Sequence, residues 1–319
     1  METLKIKENI QSAYGAEPVT ITPAKCGFST KAAYRVTCAD GTEYFLKVYD
    51  NTLPTTRRYV ERINTYMPAL ARLSVLPGLN GRVLTPVMAR SGGYRINDGS
   101  ETYAMFAFVR GDVPGVEGIT APQTAELAET LALLHGVETS LYESPEFAED
   151  ISLSFLERFI GFLDGGTTGH GELAGFISPH RDILNRAIYE TLRLRDGVRE
   201  GYSPLVLCHG DAHGNNVIQS ERLVLADWED LHLAPAEADL FIHAWHRYGG
   251  VFLEAYCAAR GGFVINRELL LYYELRRRLE DAWVDLLRLT EELPGAEETK
   301  NLLNGIKESI NEIKALRRL

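Results

Sequence analysis

An α+β fold in two lobes is what this chain of 319 residues predicts, a small β-rich lobe over 1–109 and a larger helical lobe over 110–319. Three observations lead there. Short apolar and aromatic runs crowd the stretch before residue 110, whereas apolar residues beyond it recur mostly at helical spacing. Between the two, Arg110-Gly111-Asp112-Val113-Pro114-Gly115 is rich in residues that break both kinds of element, which marks the expected hinge.

The elements follow in order. A first helix ends at Ala13-Tyr14-Gly15, and a hairpin is expected over residues 25–36. A turn at Asp40-Gly41 leads into the strand Tyr44-Phe45-Leu46-Lys47-Val48-Tyr49, and residues 57–73 have helical character. Residues 82–84 and 94–96 are expected as short strands, and 103–109 as the last strand before the hinge. Thr120 can cap the next helix, with Pro122 in its first turn and Leu127, Leu131 and Leu134 as an apolar stripe. Further helices are expected over 153–163 and 178–194, separated by the break at Gly165-Gly166-Thr167-Thr168-Gly169, and then over 240–256, 269–289 and 302–316. Leu302, Ile306, Ile310, Ile313 and Leu316 share one face of the last.

Between these helices lies the segment with the most chemistry. Pro204-Leu205-Val206-Leu207-Cys208 runs into His209-Gly210-Asp211-Ala212-His213-Gly214-Asn215-Asn216, and Asp227 follows Asn216 by eleven residues. Residues 217–218 and 223–226 read as a hairpin, so Asn216 at its entry and Asp227 at its exit come together. Kinase-type phosphoryl transfer needs such a set: Asp211 to orient or deprotonate a hydroxyl, Asn216 and Asp227 to hold magnesium on nucleotide phosphates. Two other readings stay open. Asp211, His213 and Asn216 are residues common in turns and caps, and His209, Asp211 and His213 could form a transition-metal site.

Upstream, Lys47 interrupts an apolar strand, where a lysine needs a partner. It reads as a phosphate-binding lysine tethered by Glu61, the one acidic residue of the 57–73 helix; an edge lysine, with Glu61 paired to Arg57, Arg58 or Arg62, is the alternative. Gly27, Ser29 and Thr30 fit a loop covering phosphates, with backbone approach at the glycine. The loop has no Gly-x-x-x-x-Gly-Lys pattern, which excludes a P-loop.

Together these residues resemble the aminoglycoside phosphotransferase family, small-molecule kinases with a protein-kinase-like two-lobed fold. The resemblance spans nearly the whole chain. Trp228-Glu229-Asp230, the Leu233–Leu240 segment and the Tyr272-Tyr273 … Glu280-Asp281 helix are similar to its spectinomycin phosphotransferase branch. What the resemblance implies is a catalytic Asp211, magnesium on Asn216 and Asp227, ATP or GTP as co-substrate, and Lys47 with Glu61 on the phosphates. It also implies adenine reading by the main chain around Ala107 to Val109, a supporting role for Asp239 and His209, and a buttress in His213. Glu237, Glu280 and Asp281 become candidates for a cationic substrate, although Glu280 and Asp281 also stand at pairing distance from Arg276, Arg277 and Arg278 along one helix. Many members carry Pro-Gly before the metal-binding asparagine; here Gly214-Asn215 takes that place.

Composition narrows the partners. The net charge of −11 argues against nucleic acid and favours a cationic small molecule, and residues 221–239 hold six acids against one arginine. Cys26, Cys38, Cys208 and Cys257 are scattered, with no disulfide or zinc pattern. Neither a signal peptide nor a membrane span is expected, so a cytoplasmic enzyme without a protein partner is the expectation. A metabolic kinase acting on choline, homoserine, thiamine or a sugar, and a silent nucleotide-binding protein, are the rival functions.

Overall fold

The computed structural model describes residues 2–25, 30–52, 54–165, 173, 175, 177–199, 204–291 and 294–316. Strands β1 (Pro18–Ala24), β2 (Ala32–Cys38), β3 (Glu43–Asp50), β4 (Arg95–Asp98) and β5 (Glu101–Ala107) form an antiparallel sheet in the order β1-β2-β3-β5-β4. Alternation along β3 decides what each face carries. Leu46 and Val48 turn to a core with Val36, Cys38, Tyr103 and Met105, closed by Ile6 and Ile10 of helix α1 (Glu2–Tyr14). Lys47 and Tyr49 share the opposite face. In register, Lys47 lies between Ala33 of β2 and Ala104 of β5, two small side chains that leave its long one room.

Helix α2 (Pro54–Leu73) buries Ile63, Tyr66, Met67, Leu70 and Leu73. The strand expected over 82–84 is not one. Val83 makes a single parallel bridge to Leu225, with Leu225 N–H donating to Arg82 O at 2.7 Å, because this stretch pairs with the hairpin between Asn216 and Asp227 and not with the main sheet.

Helix α3 (Ala121–Leu134) starts where the Thr120 N–H donates to Gln123 Oε1 at 2.8 Å. Helices α4 (Ser154–Gly165) and α5 (Arg181–Arg199) follow, then strands β6 (Leu205–Cys208), β7 (Val217–Gln219), β8 (Leu223–Leu225) and β9 (His232–Pro235). The single helix expected over 240–256 is two, α6 (Glu237–Ala244) and α7 (Gly249–Ala259). A Cβ on Gly249 would stand 2.5 Å from Ala244 O, so the chain folds back tightly there, and apolar spacing alone did not reveal the break. Helices α8 (Arg267–Glu291) and α9 (Ala296–Ala315) complete the chain, and Leu302, Ile306, Ile310 and Ile313 of α9 are buried as the stripe requires. No described helix is long and apolar enough to cross a membrane.

Two compact units emerge, one of residues 1–148, 206–233 and 242–263, the other of 149–205, 234–241 and 264–319. The five-stranded sheet ends at Ala107, close to the expected hinge, while the first unit continues past it and takes in residues 206–233, with the His209–Asn216 run and Asp227.

In the second unit Trp283 lies 5.6 Å from Phe159, ring to ring, with the Arg158 guanidinium 5.3 Å above it. Asp285 of α8 faces Gly305 of α9, where an added Cβ would stand 2.1 Å from its Oδ2. Burial, aided by Asp281 and opposed by Arg288, pushes the Asp285 carboxyl up to about 6. A folded-state carboxyl that keeps its proton longer than the unfolded chain contributes stability in acid and loses it as pH rises through about 6. Asp285→Asn should therefore raise the melting temperature at pH 7.5 and change it little at pH 4, which thermal melts at the two pH values would check.

Candidate active site

The segment from His209 to Asp227 is held from several sides, all within the first unit. His209 is wholly buried; its Nδ1 accepts the Asp211 N–H at 3.2 Å, which leaves the proton on Nε2 to donate to Ala226 O at 2.9 Å. One imidazole thus ties the backbone of Asp211 to the residue before Asp227. His243 donates from Nε2 to Ala212 O at 2.6 Å and fixes the other side of the loop. Gly214 packs main chain to main chain on Gly115, whose N–H reaches Gly214 O at 3.1 Å. A Cβ on Gly214 would stand 2.3 Å from Gly115 O, so Gly214→Ala should displace the loop, with turnover falling more than the melting temperature.

The side chains then converge. Asn216 Nδ2 donates to the Asp211 carbonyl and to Asp211 Oδ2, both at 2.9 Å. His213 Nδ1 accepts the Asn215 N–H at 3.2 Å, so its Nε2 carries the proton and lies 3.4 Å from Asp211 Oδ2. His213, expected as a buttress, thus stands against one oxygen of the Asp211 carboxylate. The Ala226 N–H donates to Asn216 O at 2.8 Å, closing the base of the β7–β8 hairpin and setting Asn216 beside the approach to Asp227.

Asp227 has φ of +67°, in the left-handed region where aspartate is among the few tolerated residues with a side chain. Beneath it Trp228 is buried, donating from Nε1 to Leu225 O at 2.9 Å and meeting the His209 ring at 4.6 Å. Lys47 Nζ bonds the Asp227 carboxylate and, at 2.5 Å, Glu229 Oε1, which also accepts the Tyr49 hydroxyl at 2.8 Å. Burial by itself would pull the Lys47 ammonium down; the two carboxylates, Glu229 first, outweigh it and hold the lysine charged well above its ordinary range. Burial pushes Asp227 up, and the Lys47 charge overrides that to keep it ionised far below the ordinary carboxylate range. Glu229 goes the other way, raised to about 7 by burial that Lys47 only partly offsets.

Glu61 does not meet Lys47, which corrects the expected tether. On α2 the core-facing residues are Ile63, Tyr66 and Leu70, and Glu61 falls on the opposite side of a helix with 3.6 residues per turn. Its side chain is 69% exposed and lies 3.8 Å from Arg57. Glu229 stands where Glu61 was expected. The available signal was an acid two residues after Asp227.

The other expected site residues fall as follows. Gly27 and Ser29 lie outside the described residues. Thr30 is buried, and its hydroxyl has no hydrogen-bond partner among the described residues. The Ala107 N–H is committed to Thr85 O at 2.8 Å and the Phe108 N–H to Glu43 O at 3.1 Å, so Val109 is the part of the expected adenine-reading main chain outside those pairings. In the second unit Glu237 is wholly buried and its Oε1 accepts the Asn266 N–H at 2.8 Å, while Glu280 pairs with Arg276 and Asp281 with Arg277, each at 3.1 Å. The structure therefore brings Lys47, Asp211, Asn216 and Asp227 into one unit and engages Glu237, Glu280 and Asp281 elsewhere.

The donor set is chemically coherent. With the Asn216 amide N–H groups turned to Asp211, its carbonyl oxygen is what it can offer a cation, and ionised Asp227 supplies a second hard oxygen. Such oxygens suit magnesium. No curated protein matches the sequence. Among solved structures the fold is similar to a spectinomycin phosphotransferase in complex with ADP and spectinomycin, at TM-score 0.77 and 17% identity over 99% of this chain and 98% of that one. It is also similar to a choline/ethanolamine kinase family protein from Mesorhizobium loti, at TM-score 0.66 and 16% identity over 100% and 96%. An amicoumacin kinase is similar at TM-score 0.65 and 12% identity over 98% and 94%. These likenesses show the protein-kinase-like α+β fold expected from the sequence. Residues 20–273 match the phosphotransferase enzyme family, and with that match over most of its length the chain belongs to this family of small-molecule phosphotransferases, which act on hydroxyl groups.

Proposed function

We propose that the protein is a kinase that moves the γ-phosphoryl group of ATP or GTP to a hydroxyl of a cationic aminocyclitol or aminoglycoside of the spectinomycin kind, an activity that gives antibiotic resistance. The observation that carries the chemistry is the Asp211 carboxylate, with one oxygen fixed by Asn216 and His213 in the unit that also holds Lys47 and Asp227. In this reading residues 1–109 carry the nucleotide, and residues 110–319 supply Asp211 and the acceptor pocket.

Asp211 orients the acceptor hydroxyl. As the acceptor oxygen bonds to the γ-phosphorus and the bond from that phosphorus to the bridging oxygen breaks, the hydroxyl proton passes to Asp211 and the nucleoside diphosphate leaves. Lys47 fixes the nucleotide phosphates. Magnesium held by Asn216 and Asp227 would spread the charge of the transferring group. Positioning and electrostatics do most of the catalysis.

The substrate class is supported by the net charge of −11, by the six acids over residues 221–239, and by fold similarity to an enzyme bound to spectinomycin. The four cysteines are scattered along the sequence without a close pair, in keeping with a cytoplasmic setting. The test is magnesium-dependent nucleotide consumption across aminocyclitols, aminoglycosides, choline, homoserine and sugars. Stimulation by spectinomycin or a relative supports the reading. Stimulation by a metabolite alone replaces the antibiotic and keeps the kinase.

A further inference from the structure

The geometry points to Glu229 as the residue that positions Lys47 for the nucleotide phosphates, in place of an acid from α2; this rests on the phosphotransfer reading above. Lys47 enters its site along the lane between Ala33 and Ala104 and meets two carboxylates at once. The two differ in depth. The Asp227 side chain is 31% exposed and can reach a cation arriving from solvent, whereas Glu229 is 5% exposed and cannot without leaving its place. The Tyr49 hydroxyl, donating to the same Glu229 oxygen that meets Lys47, holds it at that depth. Two jobs that one strand end could share are therefore divided: Asp227 faces outward as the metal ligand, and Glu229 stays behind as the lysine's fixed counter-ion.

Helix α2 enters this arrangement through Arg62 and not through Glu61. Arg62 donates from Nε to Glu229 O at 2.8 Å, from Nη2 to Leu231 O at 2.5 Å and from Nη1 to Glu146 O at 3.2 Å. The helix clamps the main chain that carries Glu229, while the lysine's counter-charge comes from the strand end itself. Lys47 alignment is thus built into residues 227–231 and does not depend on a carboxylate carried by α2.

The experiment compares Glu229→Gln, Glu229→Asp, Tyr49→Phe and Glu61→Ala in the full chain. Three quantities are read: the Kd of a fluorescent ATP analogue in magnesium without acceptor, the separate KM values for nucleotide and acceptor, and the melting temperature. Loss of the counter-ion should weaken nucleotide binding in Glu229→Gln by about tenfold, roughly the worth of one charge-assisted contact. The acceptor KM should stay near wild type, Glu229→Asp should recover part of the loss, and Tyr49→Phe should show a smaller defect of the same kind. Glu61→Ala should bind nucleotide as the wild type does. Wild-type nucleotide affinity in Glu229→Gln, or an equal defect in Glu61→Ala, overturns the assignment. If Glu229→Gln does not fold, an unchanged nucleotide Kd in Tyr49→Phe does the same. A wild-type protein that binds no nucleotide would instead sink the phosphotransfer reading itself, a separate outcome.

Discussion

Asp211→Asn should lower kcat by about 10²- to 10⁴-fold, the usual range for a positioned proton acceptor, with the fold and nucleotide affinity retained. The amide is nearly the same size as the carboxylate, and its oxygen can still accept the Asn216 N–H that now reaches Asp211 Oδ2 at 2.9 Å. Asp211's backbone would stay tied through His209, and the loop through His243. What is lost is the negative charge and the capacity to take a proton. Single-turnover measurements beside nucleotide titration and thermal melts separate these. A variant that turns over like the wild type would remove Asp211 from the mechanism; one that melts early would leave the loss of activity uninformative, and Asp211→Glu would then be compared.

Lys47→Ala should abolish turnover and also destabilise the fold by about 3 kcal/mol, near the low end for breaking a buried ion pair on one side. Removing the ammonium leaves Glu229 buried beside the Tyr49 hydroxyl and Asp227 without the cation it now meets. It also empties the lane between Ala33 and Ala104. Lys47→Met refills the lane without restoring the charge, so it should recover part of the stability and none of the activity. Denaturant unfolding of the two variants checks the order. Equal stability of Lys47→Ala and wild type would contradict the buried pair.

Much of the candidate site's geometry was legible because its logic is local. The His209–Asn216 run and Asp227 are joined by a short hairpin, and pairing geometry alone brings them together. Lys47 betrayed itself as a charge in an apolar strand. Its partner did not, because that choice is made by the rotation of α2 about its axis. Whether Glu61 or Tyr66 faces the sheet depends on which helical stripe is buried, and a sequence with acids at both 61 and 229 leaves both pairings possible. The α6–α7 break escaped for a related reason: Trp245 and Tyr248 keep an aromatic spacing of three residues across it, and the crowding at Gly249 shows that the chain has turned. Residues 82–84 read as a strand correctly in composition, but their hydrogen bonds go to Leu225 and not to the sheet beside them.

The left-handed backbone at Asp227 has an evolutionary corollary. Glycine and asparagine are the other residues that adopt this conformation readily, and each is one nucleotide change from an aspartate codon. Neither brings the negative charge that a phosphate-bound cation needs in the proposed reaction. Loss of catalysis at this position is thus the change the fold resists least, and descendants of this gene that have exchanged turnover for mere binding should carry their first scar at Asp227, on an otherwise intact scaffold.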